Sequence, residues 1–548
     1  MVRMGQMMAQ PLLLSSIIRH AARYSATQEI VSRLSDGGLR RQTYADCERR
    51  ARMLASGLCR HGVGQGDRVG TLAWNTHRHL EIYYAVSGMG AICHTINPRL
   101  HIDQVAFIIN DAGDGLVFFD ASFVPLVTAL QPRCPGVRQW VLMEDDAARL
   151  DGTGCVAAAY EPLLQSGDDT WAWPEFDENT AAGLCYTSGT TGNPKGVLYS
   201  HRSNVLHAYG AALPDSMDLS IQDVIAPLVP MFHVNAWGLP YSSVLVGAKL
   251  VLPGAQLDGE SIYRLFQAEG VTFSAGVPSV WQGVLAYLGE TGQRFSTFRR
   301  VIVGGSACSR ALMRELHEAG VTVRHAWGMT EMSPLGTVCV PMPRHASLSD
   351  ERQWDVLATQ GRTIFGVDMR IVDDGDEELP WDGKTFGNLQ VKGPWVLDSY
   401  FGADRPALRD GWFDTGDVAA IDADGYLMIT DRSKDVIKSG GEWISSIQVE
   451  NIAMSHPSVY LAACVAARHP KWDERPLLLV VLKPGASLRA EDLLAFFEGK
   501  VARYWVPDAV VFLDDMPLTA TGKMQKRTLR DRYGDYFVSE AHAPEQKT

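Results

Sequence analysis

Buried-strand and helix patterns alternate along most of this chain. Residues 67–74 (DRVGTLAW) form an apolar run typical of a buried strand, residues 80–89 have the apolar spacing of a helix, and residues 91–95 are again strand-like. A helix between two buried strands is the pattern of a βαβ unit, in which parallel strands form a sheet covered by helices on both faces. Similar strand-like runs recur at 115–119, 248–252, 271–274 and 301–303. The chain up to about Lys392 is therefore predicted to be α/β.

The pattern changes after Lys392, where turn residues separate short strand-like runs, as in an antiparallel region. A chain of 548 residues also exceeds the roughly 250–300 residues at which a single core stops growing. We place a domain boundary near 431–434, which gives an N-terminal domain, 1–431, and a C-terminal domain, 432–548. The second domain is predicted to be α+β, with helices at 446–454 and 490–500 and strands at 461–466 and 477–482.

Composition restricts the classes of function. The formal net charge of −13, from 50 basic and 63 acidic residues, argues against an extended nucleic-acid surface, which needs clustered Lys and Arg. Nine scattered cysteines without a CxxC pair are predicted to be reduced thiols of a cytoplasmic protein. The apolar stretch near the N-terminus is too short and polar for a signal peptide, and a run of about 18 apolar residues is absent, so we expect neither secretion nor membrane insertion.

The most informative segment is 186–196, YTSGTTGNPKG. Small and hydroxyl residues leave backbone N–H groups free to approach an anion, and Lys195 adds positive charge, which indicates a phosphate-binding loop. A P-loop would need Lys and a hydroxyl residue directly after its second glycine. Here Asn193 and Pro194 separate Gly192 from Lys195, and Gly196 replaces the hydroxyl.

YTSGTTGNPKG resembles the signature loop of the adenylate-forming superfamily of acyl-CoA synthetases, nonribosomal adenylation domains and luciferases. The superfamily's other motifs follow in the same order, so the resemblance extends from about Thr43 to Lys526. It implies a large N-terminal domain of packed mixed sheets with helices, a small β-barrel-like region, and a small mobile C-terminal domain with a hinge near Lys434.

Residues 326–334, AWGMTEMSP, resemble the motif in which an aromatic ring packs by adenine, Thr contacts the α-phosphate and Glu holds Mg²⁺. The resemblance implies these roles for Trp327, Thr330 and Glu331, with Thr187 also at the metal. Mg²⁺ suits such a site because it takes one or two carboxylates together with phosphate oxygens and waters. The family usually has Tyr where this chain has Trp327, so the space around the base is expected to differ.

Two further segments resemble nucleotide motifs. Residues 303–307, VGGSA, match the loop beneath adenine, and 411–417, GWFDTGD, match the motif whose final Asp accepts hydrogen bonds from the ribose hydroxyls. The resemblance assigns the ribose to Asp417, with Arg432 on the same side. A departure occurs at Asn388, where the family commonly has Glu in a structural role.

The acid and the thiol have motifs of their own. Residues 230–240, PMFHVNAWGLP, resemble the acyl-site motif, which implies that His233 lies near the substrate carboxyl, with Gly304 beside it, and that Trp237 closes an acyl tunnel. Residues 517–523, PLTATGK, resemble the catalytic lysine motif and point to Lys523. Residues 439–446, SGGEWISS, resemble the loop around the pantetheine arm of coenzyme A.

The expected catalytic residues are Lys523, His233, Thr187 and Glu331. The expected contacts of ATP and coenzyme A are Ser188, Gly189, Thr190, Thr191, Gly192, Lys195, Gly305, Ser306, Ala307, Trp327, Gly328, Met329, Thr330, Asp417, Arg432, Lys434, Lys438, Gly440, Gly441, Glu442 and Trp443.

Together these motifs predict an acyl-CoA ligase that uses ATP, Mg²⁺ and coenzyme A and acts on a small carboxylic acid. The acid would first displace pyrophosphate to give an acyl-adenylate, and coenzyme A would then displace AMP. The substrate is expected to be a short- to medium-chain aliphatic acid, since the motifs are most similar to those of medium-chain fatty-acyl-CoA and 3-methylmercaptopropionyl-CoA ligases. Longer-chain or aryl acids, a luciferase-like oxidation and loading of a carrier protein stay open as alternatives. A homodimer is expected from the family.

Overall fold

The computed structural model describes residues 5–187, 193–432, 435–439, 442–518 and 524–538, with only the backbone described at 432, 442 and 443. Within these residues the helices are α1 (Leu14–Tyr24), α2 (Tyr44–Arg60), α3 (His77–Gly88), α4 (Ile102–Ala112), α5 (Val124–Leu130), α6 (Tyr160–Gln165), α7 (His201–Ala212), α8 (Val234–Trp237), α9 (Leu239–Leu245), α10 (Gly259–Glu269), α11 (Pro278–Thr291), α12 (Arg310–Glu318), α13 (Asp350–Ala358), α14 (Ser446–Met454), α15 (Ala490–Ala495) and α16 (Lys526–Tyr533).

The strands in the same residues are β1 (Glu29–Arg33), β2 (Leu39–Thr43), β3 (Arg68–Leu72), β4 (Ile92–Thr95), β5 (Leu116–Phe119), β6 (Gln139–Leu142), β7 (Ala158–Ala159), β8 (Ala181–Tyr186), β9 (Gly196–Ser200), β10 (Val224–Pro227), β11 (Lys249–Leu252), β12 (Phe273–Gly276), β13 (Arg300–Val303), β14 (Thr322–Gly328), β15 (Leu335–Val338), β16 (Arg362–Thr363), β17 (Asp368–Val372), β18 (Gly387–Lys392), β19 (Leu408–Arg409), β20 (Trp412–Ile421), β21 (Leu427–Arg432), β22 (Ile437–Ser439), β23 (Glu442–Ile444), β24 (Val459–His469), β25 (Asp473–Leu482) and β26 (Ala509–Phe512).

Two large sheets carry the α/β part. The first has the strand order β7-β6-β5-β3-β4-β8-β9, and the second has the order β16-β15-β14-β13-β12-β10-β11-β1-β2. The inner strands run mainly parallel, as the βαβ pattern predicts. Antiparallel pairs lie at the edges formed by β2, β9 and β16, whereas the edge strand β7 is parallel to β6. Helix α3 contacts strands of both sheets and is buried along its whole length. Because other elements surround this helix, its apolar residues lie on more than one face, and its buried Glu81 is paired with Arg50 at 2.8 Å.

The region after β16 forms a third, antiparallel sheet in the order β17-β18-β20-β19, with β21 paired to β20. This sheet is the barrel-like region that the resemblance implies. Its residues join the apolar core of the first two sheets through side chains such as Ile371, Leu389 and Ile421, all fully buried. The prediction of a change to antiparallel structure after Lys392 is confirmed for β19 to β21, although the sheet already begins at β17.

The last part of the chain has its own sheet, β23-β22-β25-β24, with β26 parallel to β25. Helix α14 coincides with the helix predicted at 446–454, and the two predicted strands fall within the longer β24 and β25. The helix predicted at 490–500 ends at Ala495. From there to Lys500 the chain makes three-residue turns, and Gly499 has a φ of 73°, which a helix does not allow.

All nine cysteines are free, and eight of them are buried. Burial raises the pKa of Cys185 to about 11 and that of Cys339 to about 11, which keeps both thiols protonated. Among the described residues, the structure contains no helix with the length and apolar character needed to cross a membrane.

Candidate functional site

A cavity of about 700 Å³ lies between the second sheet, the third sheet and the small C-terminal part. Its walls include Gly305, Trp327 and Asp417 from the N-terminal part and Leu518 and Met524 from the C-terminal part. The structure therefore brings together three of the predicted nucleotide motifs, which are far apart in sequence.

The signature loop connects the antiparallel strands β8 and β9, which pair Tyr186 with Gly196. At its base, the Thr187 N–H donates to the Lys195 carbonyl at 2.9 Å, and the Lys195 N–H lies 3.3 Å from Thr187 Oγ1. The two ends of the loop are thus held together. Residues Ser188, Gly189, Thr190, Thr191 and Gly192 lie outside the described residues.

Tyr400 connects the signature loop to the predicted metal ligand. The Lys195 ammonium lies 4.8 Å from the centre of the Tyr400 ring, within the range of a cation–π contact. The Tyr400 hydroxyl donates a hydrogen bond of 2.8 Å to Glu331 Oε1. Burial and the nearby Glu331 carboxylate raise the pKa of Tyr400, so its hydroxyl stays a donor.

Glu331 lies in a short 3₁₀ turn, Thr330–Met332, and is 8% exposed. Backbone groups on both sides of the carboxylate are anchored: Tyr199 donates to the Thr330 carbonyl at 2.7 Å, and the Leu397 N–H donates to the Glu331 carbonyl at 2.8 Å. The Phe401 N–H also donates to the Gly196 carbonyl at 2.8 Å. The segment from Leu397 to Phe401 therefore ties the Glu331 turn to the end of the signature loop.

The predicted adenine motif follows strand β13. Gly305 has a φ of 78°, and Gly305, Ser306 and Ala307 line the cavity. Gly304 stands against a different neighbour, since a Cβ at this position would lie 2.8 Å from the Ala326 carbonyl oxygen and 3.3 Å from Trp237 Cη2. A side chain at Gly304 would clash with the Ala326 carbonyl and crowd the indole of Trp237.

Trp327 and Gly328 line the cavity, whereas Met329 bonds through its N–H to the Pro334 carbonyl at 3.1 Å. A β-bulge at Trp327 and Gly328 interrupts the pairing of β14 with β15, and bulges commonly redirect side chains next to active sites. The Trp327 indole Nε1–H donates to Asp417 Oδ2 at 3.0 Å. Asp417 lies on β20, where its register partner is Arg432 of β21.

The predicted acyl-site motif adopts an unusual backbone conformation. Val234, Asn235, Ala236 and Trp237 have φ angles of 45°, 51°, 48° and 56°, which makes α8 a left-handed turn. Such a turn costs roughly 1–2 kcal/mol per residue, so its surroundings have to hold it. Tyr83 helps to do so, because its hydroxyl donates to the Met231 carbonyl just before the turn and lies 3.2 Å from the buried Asn235 Oδ1. His233 directly precedes the turn and is half-buried, and Trp237 is 8% exposed.

The C-terminal motifs are described only in part. Lys434, Gly440, Gly441 and Lys523 lie outside the described residues, and the side chains of Arg432, Glu442 and Trp443 are likewise not described. Lys438 lies on β22, away from the cavity walls, and its N–H donates to Glu474 Oε2 at 2.8 Å. Leu518 and Met524 pair as an isolated bridge and line the cavity, so the two ends of the predicted lysine motif meet there.

Two residues that the sequence did not single out as functional occupy key positions. Tyr400 is one, and no local pattern marks it, because its partner Glu331 is 69 residues away. Lys526 is the other: its ammonium lies 2.7 Å from Glu450 and 3.9 Å from Asp431 and also contacts Ser446 Oγ, in a buried cluster beside the predicted hinge. Lys526 begins helix α16, and no local sequence pattern distinguishes a buried lysine at this position from a solvated one.

The model of the AMP-binding enzyme family matches residues 18–401, and that of the AMP-binding enzyme C-terminal domain matches residues 448–523. This chain belongs to the AMP-binding enzyme family. The matches cover the signature loop, the Glu331 turn and the lysine motif, which are the elements that the sequence motifs indicate.

Among relatives of known name, this AMP-binding enzyme is 52% identical to the 3-methylmercaptopropionyl-CoA ligase of Ruegeria lacuscaerulensis, over 97% of this chain and 99% of the relative. It is 50% identical to the medium-chain-fatty-acid–CoA ligase of Ectopseudomonas oleovorans, over 98% of each. The crystal structure of the anthranilate CoA ligase AuaEII in complex with anthranoyl-AMP has the same fold, with a TM-score of 0.84, 24% identity and coverage of 95% of this chain and 98% of that one. The predictions of the family, of the fold and of an AMP-forming acyl-CoA ligase are confirmed.

Proposed function

We propose that this acyl-CoA ligase activates short- to medium-chain aliphatic acids, with 3-methylmercaptopropionate among the candidate substrates. The observation that carries the proposal is the similarity, at 50% identity or more and over nearly the whole chain, to relatives named for these acids. In the first step, the acid carboxylate attacks the α-phosphorus of ATP and pyrophosphate leaves. In the second, the thiol of coenzyme A attacks the acyl carbonyl and AMP leaves.

The first step brings anions together, so it needs positive charge aimed at the transition state. Lys195 and the amides of Thr187–Gly192 are proposed to hold the ATP phosphates. Lys523 is proposed to contact the reacting groups from the C-terminal domain. Its motif supports this role, because the residues at both ends of that motif line the cavity.

Mg²⁺ is the metal that fits the residues present. The Glu331 carboxylate is buried, and its Oε1 already accepts the Tyr400 hydroxyl, which leaves it able to serve as a single carboxylate ligand with Thr187 near the base of the loop. The described residues contain no group of three or more His, Cys, Asp or Glu side chains that could enclose a metal. Such a sparse donor set suits Mg²⁺, which takes most of its ligands from phosphates and water. Bound there, it would neutralise charge on the phosphates.

The remaining nucleotide contacts are proposed from the cavity walls. Gly305, Ser306 and Ala307 are proposed to lie beneath adenine and Trp327 beside it, with Gly328, Met329 and Thr330 continuing toward the α-phosphate. Asp417 and Arg432 are proposed to hold the ribose. The support is that six of these residues line one cavity: Gly305, Ser306, Ala307, Trp327, Gly328 and Asp417.

The acid is proposed to lie beside His233, Trp237 and Gly304. The left-handed turn places the Trp237 indole beside the end of β13, and Gly304, which has no side chain, leaves space for the indole there. Because Gly304 belongs to the segment 303–307 that is proposed to lie beneath adenine, a carboxylate beside Trp237 and Gly304 would lie next to the nucleotide. This is the geometry that adenylate formation requires.

The second step is proposed to use the other face of the C-terminal domain, with boundaries at 1–431 and 432–548. Lys438, Gly440, Gly441, Glu442 and Trp443 are proposed to surround the pantetheine arm, and Lys434 is proposed as the hinge that exchanges them for Lys523. The independent sheet and apolar core of residues after 437 support separate movement of this domain.

We also propose that the enzyme works in the cytoplasm, as part of fatty-acid or related lipid metabolism, and forms a homodimer. The free, buried cysteines fit a reducing compartment. Light scattering of the purified protein tests the oligomeric state, and fractionation of cells that express it tests the compartment.

The experiment that tests the proposed function is a panel of acids from acetate to palmitate, with 3-methylmercaptopropionate and benzoate, assayed for AMP release and for consumption of coenzyme A. The expected result is a maximum of kcat/KM among the short- to medium-chain acids, with AMP and thioester formed in equal amounts. A maximum at palmitate or benzoate would overturn the substrate assignment. Turnover that consumes O₂, or adenylate formation without thioester in the presence of coenzyme A, would indicate the luciferase-like or carrier-loading alternatives.

A further inference from the structure

At position 327 this chain has Trp where its family usually has Tyr, and in the structure the Trp327 indole has a hydrogen-bond partner that a Tyr ring would not reach in the same way. Among Phe, Tyr and Trp, only Trp carries an N–H on its ring, and the Nε1–H of Trp327 donates to Asp417 Oδ2 at 3.0 Å. Both side chains line the same cavity. The bond therefore joins the predicted adenine contact to the predicted ribose contact.

The surrounding structure is shaped to hold the larger ring. A Cβ at Gly336, on the neighbouring strand β15, would lie 2.8 Å from Trp327 Cζ3 and 2.9 Å from Cε3. The six-membered ring thus packs directly on the backbone at Gly336, while the bulge at Trp327 turns the indole out of the regular strand pairing. With one face of the indole packed and its edge bonded, its orientation is determined by the protein rather than by the nucleotide.

The acceptor is equally constrained. Asp417 is 3% exposed, and its backbone N–H donates to Thr415 Oγ1 at 3.1 Å. It belongs to the third sheet and Trp327 to the second, so the hydrogen bond crosses between two sheets. A hydrogen bond from an N–H to a carboxylate is stronger than one between neutral groups and sets the rotation of the carboxylate.

We propose that the Trp327 indole N–H is a positioning group that orients the Asp417 carboxylate toward the ribose hydroxyls of the nucleotide, so that recognition of base and of ribose are coupled. The proposal rests on the proposed function of the cavity as the ATP site. It makes Trp327 a determinant of the preference for ribonucleotides as well as a surface for adenine. A Phe or Tyr ring can stack on a base but lacks the ring N–H that reaches Asp417.

The test compares kcat/KM of AMP formation with ATP, 2′-deoxyATP and 3′-deoxyATP in the native protein, in Trp327→Phe and in a variant with benzothienylalanine at 327. Benzothienylalanine keeps the shape of the indole and replaces its N–H by sulfur. Loss of stacking weakens all three nucleotides alike, whereas loss of the N–H weakens only binding that depends on ribose hydroxyls. We expect the preference for ATP over the deoxynucleotides to fall by about ten-fold in both variants, the effect of a hydrogen bond to a charged group.

Calorimetric binding of AMP and 2′-deoxyAMP gives a readout without turnover and should show the same loss of preference. In an Asp417→Ala background, Trp327→Phe should leave the preference unchanged, since the acceptor is gone. Trp173→Phe is the matched control. The Trp173 indole also donates to a carboxylate, that of Glu48 at 2.8 Å, and neither residue lines the cavity. It should preserve the native preference.

An unchanged preference in the benzothienylalanine variant, with all nucleotides weakened equally, would overturn the proposal and leave Trp327 as a stacking surface. So would a fall of the same size in the Asp417→Ala background. Failure of the proposed function looks different, because the native protein itself would then bind neither AMP nor ATP and would release no AMP with any acid.

Discussion

Tyr400 offers the sharpest test of how the predicted metal ligand is held. Replacement by Phe removes the hydroxyl that donates to Glu331 Oε1 at 2.8 Å and keeps the ring beneath the Lys195 ammonium. A hydrogen bond to a charged group contributes about 1.5–3 kcal/mol, and each 1.36 kcal/mol corresponds to about ten-fold in rate. Tyr400 is only partly buried, so we expect the lower end, roughly a ten-fold loss in adenylate formation.

The assay is exchange of labelled pyrophosphate into ATP, measured over a range of Mg²⁺ concentrations. Tyr400→Phe should need more Mg²⁺ for half-maximal exchange, because the Glu331 carboxylate is no longer held in one orientation. Conversion of supplied acyl-adenylate and coenzyme A into thioester should stay at the native rate. Tyr400→Ala should lose a further two- to five-fold, as expected for removal of a cation–π contact worth about 0.5–1 kcal/mol.

Two variants complete this experiment. Tyr263→Phe is the matched control. Tyr263 lies on helix α10 and its hydroxyl donates to Gln293 at 2.9 Å, so this variant loses a tyrosine hydroxyl elsewhere and should behave as the native protein. Glu331→Gln should lower the rate of pyrophosphate exchange more than Tyr400→Phe does. Adding Tyr400→Phe to Glu331→Gln should then lower the rate only slightly further. If Tyr400→Phe exchanges pyrophosphate at the native rate, or if both half-reactions fall together, the positioning role of Tyr400 is wrong.

Three further predictions concern the acid preference, the two faces of the C-terminal domain and the buried Lys526. Trp237→Ala should shift the acid preference toward bulkier acids with KM for ATP unchanged; a loss of roughly 3–5 kcal/mol in unfolding free energy with unchanged preference would mark a purely structural tryptophan. Lys523→Ala should fail to form adenylate yet convert supplied adenylate into thioester, and Gly441→Leu should show the opposite pattern in the same two assays; equal defects in both steps would contradict two separate faces. Lys526→Met should destabilise the C-terminal domain by about 3–5 kcal/mol in thermal melts, because it leaves Glu450 buried without its cation, whereas a native melting temperature would show that the pair contributes little.

The fold class could be predicted from local sequence patterns, namely apolar runs, apolar spacing and turn residues. Apolar runs at 67–74 and 91–95 became β3 and β4, and α14 has the predicted bounds, because burial period and turn residues are local properties. The helix predicted at 490–500 was too long because apolar spacing does not register the left-handed Gly499. The family likewise followed from sequence, since its motifs are contiguous segments.

Contacts between segments distant in sequence were decided by the tertiary structure alone. Tyr400 meets Glu331, Trp327 meets Asp417, and Lys526 meets Glu450 only after separate elements have packed. The left-handed turn that places Trp237 against Gly304 is another case, because residues such as Val234 avoid that conformation unless their neighbours impose it. The sequence by itself determined which chemical groups this enzyme carries, and packing decided which of them hold one another in position, since orientation depends on partners that no local pattern records.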